Sequence, residues 1–177
     1  MKFTAILLPF LTTLALASPV EKRATVASYN TCHAEITELY PNEYSGCLQS
    51  GSVERVNGGS NTNTLIAITI RDGFAGQTCT LNFQDPYYVN GTRGIQLFTV
   101  GGPVTGGETW NERPFRNQHV GTFKASLPGT ASWSDSTARS FLCPKGGTTL
   151  YFEAVPTGDN DAVFWKLPSG GLVVTVG

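Results

Sequence analysis

The chain is poor in histidine, with only His33 and His119 in 177 residues. No Gly-x-Ser-x-Gly elbow accompanies them, so a serine nucleophile served by a histidine base has no support in the sequence. Lys and Arg number 12 against 13 Asp and Glu and nowhere cluster. Binding through neutralised phosphates is therefore excluded as a main role, and no nucleic-acid partner is expected. No CxxC or Cys/His spacing points to zinc, and no cofactor is expected. Beyond the first residues no apolar stretch approaches the ~20 that a membrane span requires, nor does the end offer the ~10 to 20 apolar residues of a lipid-anchor signal. No window of about 12 residues holds a 3.6 period, so helices are not expected either.

What is there begins with a secretory pattern. Lys2 precedes an apolar run from Phe3 to Leu16, and Ala15-Leu16-Ala17 has the small residues of a cleavage site, so residues 1–17 read as a signal peptide cut after Ala17. Residues 18–23 end in Lys22-Arg23, which resembles the dibasic site trimmed by kexin-type proteases, leaving residues 24–177 as one domain. Without the first 23 residues the chain carries 9 basic and 12 acidic side chains, a net charge of −3. The expected product is secreted, extracellular or wall-associated, and monomeric. A domain of this size can bury most of its apolar surface without a partner.

All four cysteines, Cys32, Cys47, Cys79 and Cys143, fall in that domain. An even number in an oxidising compartment favours two disulfides, and four cysteines allow three connectivities, as a count of pairings. In Gln77 to Phe83 the residues Cys79, Leu81 and Phe83 alternate with Thr78, Thr80 and Asn82, which places Cys79 on an apolar strand face. Phe141 and Cys143 share a face in the same way. The first ordering is therefore Cys79 with Cys143, a staple between two inward-facing sheets, and Cys32 with Cys47. A free pair or a metal site is the alternative.

The rest of the domain reads as short strands. Ala27 to Leu39, Thr64 to Arg71, Gly94 to Val100, Val120 to Leu127, Ala162 to Leu167 and Gly171 to Val176 carry alternating or continuous apolar runs. Ile66, Ile68 and Ile70 on one face and Leu65 and Ala67 on the other predict a central strand covered on both sides. Gly51 to Asn63 has too few apolar residues to pack and reads as a long loop. Ser140 to Val155 reads as strand, turn and strand. The whole predicts an all-β, disulfide-stapled antiparallel β-sandwich, jelly-roll-like, of roughly eight or nine strands.

Few motifs carry chemistry. Gly101 to Gly107 lacks the Gly-Lys-Ser/Thr ending of a phosphate loop and reads as a turn. Thr109 to Pro114 places Trp110, Asn111 and Arg113 close together, a set able to stack on a sugar ring and bond its hydroxyls. The competing and weightier role has Trp110 capping the core while Asn111 and Pro114 set a turn. Trp133 lies in a polar segment and reads equally as an exposed aromatic or a buried one, whereas Trp165 reads as core. Asp159 and Asp161 suit a turn better than a calcium loop. His119 reads as a surface loop residue. Asn90-Gly91-Thr92 is a glycosylation sequon in a turn-like segment.

Several fragments in order resemble a fungal family of secreted proteins classed under the C-terminal domain of the ubiquitin-like-modifier-binding protein But-two. They are Thr78 to Phe83, Gln96 to Pro103, Thr109 to Pro114, Gly121 to Phe123 and Ser140 to Pro144. The resemblance implies a β-sandwich exported by filamentous fungi, Cys79 and Cys143 on paired cysteine positions, and no established catalysis. The modifier-binding role in the family name belongs to the cytosol and does not carry over to an exported chain. The Thr-Trp-Asn-x-Arg-Pro piece also resembles a short motif of bacterial carbohydrate-binding modules. The expected function is a secreted, non-catalytic protein of the cell wall or extracellular space that contacts polysaccharide through Trp110 or Trp133. The alternative is an effector or allergen-like protein acting on a host protein. A carbohydrate-active enzyme ranks last, because it needs Glu108 or Glu112 to converge with Asp135.

Overall fold

In a computed structural model the described residues are 25–135 and 138–177. The expected signal and trimming positions, Ala17, Lys22 and Arg23, lie outside them. The described residues form thirteen strands and no helix. In chain order these are β1 Thr25–Val26, β2 Ser28–Thr37, β3 Ser50–Arg55, β4 Asn61–Ile70, β5 Thr78–Gln84, β6 Tyr88–Gly91 and β7 Gly94–Val100. They continue with β8 Arg116–Lys124, β9 Ser132–Asp135, β10 Ser140–Leu142, β11 Thr149–Pro156, β12 Asp161–Lys166 and β13 Gly171–Val176.

The strands pair antiparallel in two sheets. A four-stranded sheet runs β1-β13-β5-β10, and a nine-stranded one runs β6-β12-β3-β4-β11-β7-β8-β9, with β2 also paired to β4. They make a sandwich. Its core takes Leu81 and Phe83 from β5, Leu172 and Val174 from β13, and Ile66, Ile68 and Ile70 from β4, all but removed from water. An aromatic chain crosses it, with Phe83 edge-on to Trp165 at 5.1 Å and tilted against Phe123 at 5.1 Å. Trp165 is thus core, as its apolar neighbours predict.

The covered-on-both-sides reading of β4 holds. Leu65 and Ala67 point away from the main core into a second cluster with Cys32, Ala34, Ile36, Val100 and Val104. Val104 belongs to the loop between β7 and β8, which lies over this outer face and carries Trp110. Glu108 holds the glycine turn of that loop: it accepts from Thr105 N at 2.7 Å, Thr105 Oγ1 at 2.8 Å and Gly106 N at 2.9 Å. Gly106 has φ +90°, and a Cβ there would stand 2.6 Å from Cys47 N, so the loop seats against the Cys32–Cys47 segment only with glycine at that point.

Four expectations need correction. Gly51 to Asn63 is not all loop, because β3 and the start of β4 occupy most of it. Gly51 lies under the Trp165 indole, so a neighbouring strand supplies the apolar surface that β3 itself lacks. Ser140 to Val155 is no hairpin: β10 pairs with β5 and β11 with β4 and β7, in different sheets. The connection turns a corner where Gly147 N donates to Ile70 O at 2.8 Å. Both expected disulfides are present, but Cys79–Cys143 does not cross between sheets. It joins β5 to the residue just past the end of β10, beside the Phe141–Cys79 pair of the small sheet, and its Cα atoms are 5.0 Å apart. Lastly, β8 begins at Arg116 rather than Val120, so His119 is a strand residue. It packs against Phe98 with centroids 5.1 Å apart, and its Nδ1 lies 3.6 Å from Asp135.

Candidate functional site

The site grows from one charged residue inside an apolar strand. Glu153 sits in β11 between Phe152 and Ala154, opposite Leu65 of β4 and Phe98 of β7, and is fully buried. A buried carboxylate needs partners. Arg116 of β8 reaches across the Phe98 ring, its guanidinium carbon 5.2 Å from the centroid, and bonds Glu153 bidentately. Arg116 Nε donates to Oε2 at 2.6 Å and Nη2 to Oε1 at 2.9 Å. The hydrogen bonds to Glu153 push the Arg116 pKa up, ahead of the opposing effect of burial. Asn63, diagonal to Glu153 across β4 and β11, donates through Nδ2 to Oε1 at 2.7 Å. Arg113 Nε adds a second cation at 3.8 Å.

Arg113 joins this network to the loop. Its guanidinium lies 4.2 Å from the Trp110 ring centroid, and its Nη1 donates to Trp110 O. The Thr109 hydroxyl accepts from Glu112 N at 3.1 Å and tightens the turn that puts Trp110 and Arg113 on the same side. Asn63, Trp110, Arg113 and Arg116 line a cavity of about 300 Å³ together with Glu38, Arg55, Asn61 and Gln96. Asn61 sets the rim, donating from N and Nδ2 to Glu38 Oε2 at 2.7 and 3.1 Å and accepting from Arg55 Nε. Asn63 is 1 % exposed, and its Nδ2 must face the carboxylate. Its Oδ1 accepts no hydrogen bond from the protein and is closed off from solvent, behind the cavity that the residue helps to line. Because Arg113 covers one indole face, Trp110 is a wall of the cavity rather than an open platform. Both Glu153 oxygens are engaged, so this carboxylate serves the cavity by holding Arg116 and Asn63 in place.

Of the sequence candidates, Trp110 and Arg113 come together here. Asn111 does not line this cavity, since its N donates to Pro41 O at 3.1 Å and its Nδ2 to Asn42 Oδ1 at 2.8 Å, but it does join Trp110 and Arg113 on an adjoining open concavity of about 520 Å³. Trp133 lies elsewhere, half-buried on β9 with its ring 4.7 Å from Phe123, so it is part of the core margin rather than a free aromatic. Asp159 lies in the β11–β12 turn and Asp161 opens β12: 2 % exposed, it accepts from Thr92 Oγ1, from Gly94 N at 3.1 Å and from Gly158 N at 2.6 Å. Among the described residues no group of three His, Cys, Asp or Glu side chains could hold a metal.

A further concavity takes in Asn90 and Gly91 of the sequon, though no sequence motif marks its aromatic residues. At the β6 edge of the large sheet, Tyr87, Tyr88, Phe164 and Val56 line a groove of about 550 Å³. Val89 and Val163 face the core, which leaves Tyr88 and Phe164, paired across β6 and β12, on the outer face with rings 5.5 Å apart.

The family model described as "Ubiquitin 3 binding protein But2 C-terminal domain" matches residues 34–166. The chain belongs to the But2 C-terminal domain family. The matched But2 segment runs from β2 to the end of β12 and contains both the Trp110 cavity and the aromatic groove. Three of the four bridged cysteines lie inside it, and Cys32 stands two residues before it. No curated protein matches this But2-domain chain.

Proposed function

We propose that this But2-domain chain is an exported, non-catalytic binding protein whose Trp110 cavity takes one sugar unit of a cell-wall or extracellular polysaccharide. The observation that carries the reading is a polar cavity in which the Trp110 indole stands beside the guanidinium groups of Arg55, Arg113 and Arg116. A sugar ring matches such a lining, its hydroxyls bonding at the polar rim that Asn61 and Glu38 set. The guanidinium groups of Arg55, Arg113 and Arg116 offer donors to its other oxygens, and the Trp110 indole offers an apolar wall to its C–H edges. Export is supported by the signal pattern of residues 1–17 and by two disulfides. The protein acts as a monomer and without a cofactor. Glu108 is occupied with the loop turn and Asp135 lies on β9 beside His119, which weighs against a glycosidase pair of Glu108 with Asp135.

Calorimetric titration with soluble oligomers of β-glucan, chitin and cellulose tests this reading. Binding to one of them that Trp110→Ala weakens at least tenfold in a folded protein supports it; no heat with any oligomer overturns it. A second reading, an effector or allergen-like protein directed at a host protein, draws support from the family description, which names a protein-binding protein. It predicts capture of a protein partner that Trp110→Ala leaves intact.

A further inference from the structure

The aromatic groove at the β6 edge has a built-in candidate for its occupant. Asn90 of the Asn90-Gly91-Thr92 sequon is one of its lining residues. Tyr88 stands two positions earlier on the same strand and so projects from the same face, with Cα atoms about 7 Å apart along a strand. Ala162 lies opposite Asn90 and Phe164 opposite Tyr88 in the β6–β12 register. A small side chain thus flanks the asparagine, and two rings stand beside it. Asn90 Oδ1 accepts from Gly91 N at 2.8 Å, which orients the amide and turns Nδ2, the atom that would carry a glycan, away from the backbone. The turn beyond is held firmly: Thr92 N donates to Asn160 O at 2.9 Å and the Thr92 hydroxyl to Asp161. A Cβ on Gly91, with φ +68°, would lie 1.9 Å from Asn160 O, so the turn packs closely against the β11–β12 connection.

We infer that Asn90 carries an N-linked glycan whose first N-acetylglucosamine packs in the groove against Tyr88 and Phe164. This rests on the proposed export, because the donor is met in the secretory pathway before folding. There Nδ2 forms a bond to C1 of a lipid-pyrophosphate-linked oligosaccharide. The C1–O bond to phosphate breaks, the lipid pyrophosphate leaves with the electron pair, and Nδ2 loses one proton. The sugar's apolar C–H face then covers rings that are otherwise half in water: Tyr87 is 53 % and Tyr88 45 % exposed. The glycan serves the fold by shielding an apolar sheet edge, and the polysaccharide site stays separate at the Trp110 cavity.

The test secretes the full chain from a yeast and compares wild type, Asn90→Gln, Tyr88→Ala and Tyr88→Leu. Tyr88 is an exposed edge residue, and the leucine variant keeps apolar bulk without a ring face. The expected wild type gains one glycan by mass, absent in Asn90→Gln. Trimming to a single N-acetylglucosamine leaves the thermal midpoint within about 1 °C, while Asn90→Gln loses roughly 2 to 4 °C, the shift that about 1 kcal/mol of contact gives in a domain this size. In both Tyr88 backgrounds the Asn90→Gln loss should shrink by at least half. Secreted protein without a glycan overturns the inference and leaves export standing; no protein in the medium overturns both. An Asn90→Gln loss of equal size with and without Tyr88, or no loss at all, also overturns it.

Discussion

Replacing Arg116 with Ala isolates the interaction on which the cavity is built. Glu153 is wholly buried and takes two hydrogen bonds from the Arg116 guanidinium, at 2.6 and 2.9 Å, and one from the uncharged Asn63 amide at 2.7 Å. Without Arg116 the carboxylate keeps only the Asn63 amide and the Arg113 guanidinium at 3.8 Å. Removing one partner of a buried pair costs about 3 to 5 kcal/mol. The Arg116 side chain is 37 % exposed, so water can follow it in, and Arg113 stays behind. The expected loss is therefore lower, about 2 to 3 kcal/mol. Urea unfolding should show it as a lower midpoint at an unchanged m-value. The double variant Glu153→Leu with Arg116→Met removes the buried charge together with its partner and should recover at least half of the loss. A cost below about 0.5 kcal/mol for Arg116→Ala, or a double variant no better than the single one, would refute the reasoning.

Three other outcomes follow from the structure. Burial lowers the His33 pKa to about 4 from 6.5, ahead of the opposing effect of a backbone hydrogen bond with Ser50. The unfolded chain thus binds this proton first as pH falls, so the contribution is full above pH 6.5 and falls by about 3 kcal/mol on reaching pH 4. Burial raises the Glu35 pKa, a contribution of opposite sign in the carboxylate range, so the readout is the difference between wild type and His33→Gln, and parallel pH–stability curves would contradict it. Converting both cysteines of a bridge to Ala should cost about 4 kcal/mol for Cys79–Cys143, which spans 64 residues, and about 3 for Cys32–Cys47, which spans 15; the reverse order in urea midpoints would count against a loop-entropy origin. Gly51→Ala would put a Cβ 2.4 Å from the Trp165 indole and should cost about 1 to 3 kcal/mol, with a changed near-ultraviolet tryptophan signal.

Strands whose own residues alternate are legible in the sequence alone. The Cys79–Phe83 alternation and the double-sided Thr64–Ile70 run each correspond to a strand buried as the pattern requires. β3 is hidden because its packing surface is Trp165, more than a hundred residues later, and the strand contributes glycine and serine to make room. The Pro144 to Thr148 corner looks like a hairpin turn because local chemistry sets a turn but not which sheet the next strand joins. For the same reason the Cys79–Cys143 pairing can be read from the sequence while its place within one sheet cannot. At the cavity, Trp110 and Arg113 stand out as a short motif, but Asn63, Arg116 and Glu153 lie on three separate strands. Glu153 does leave a signal: a lone charge in the apolar run Leu150 to Val155 rarely goes unpaired. The groove leaves less, since Tyr88 and Phe164 look like ordinary strand residues until the register puts them side by side.

Co-sedimentation of the purified protein with insoluble chitin, β-glucan and cellulose tests the proposed sugar binding most directly, with Trp110→Ala and Tyr88→Ala variants checked for folding. Retention on one polymer that is lost in Trp110→Ala and kept in Tyr88→Ala would place the binding at the cavity beside Asn63. Retention on none of them, or loss only with Tyr88→Ala, would contradict it.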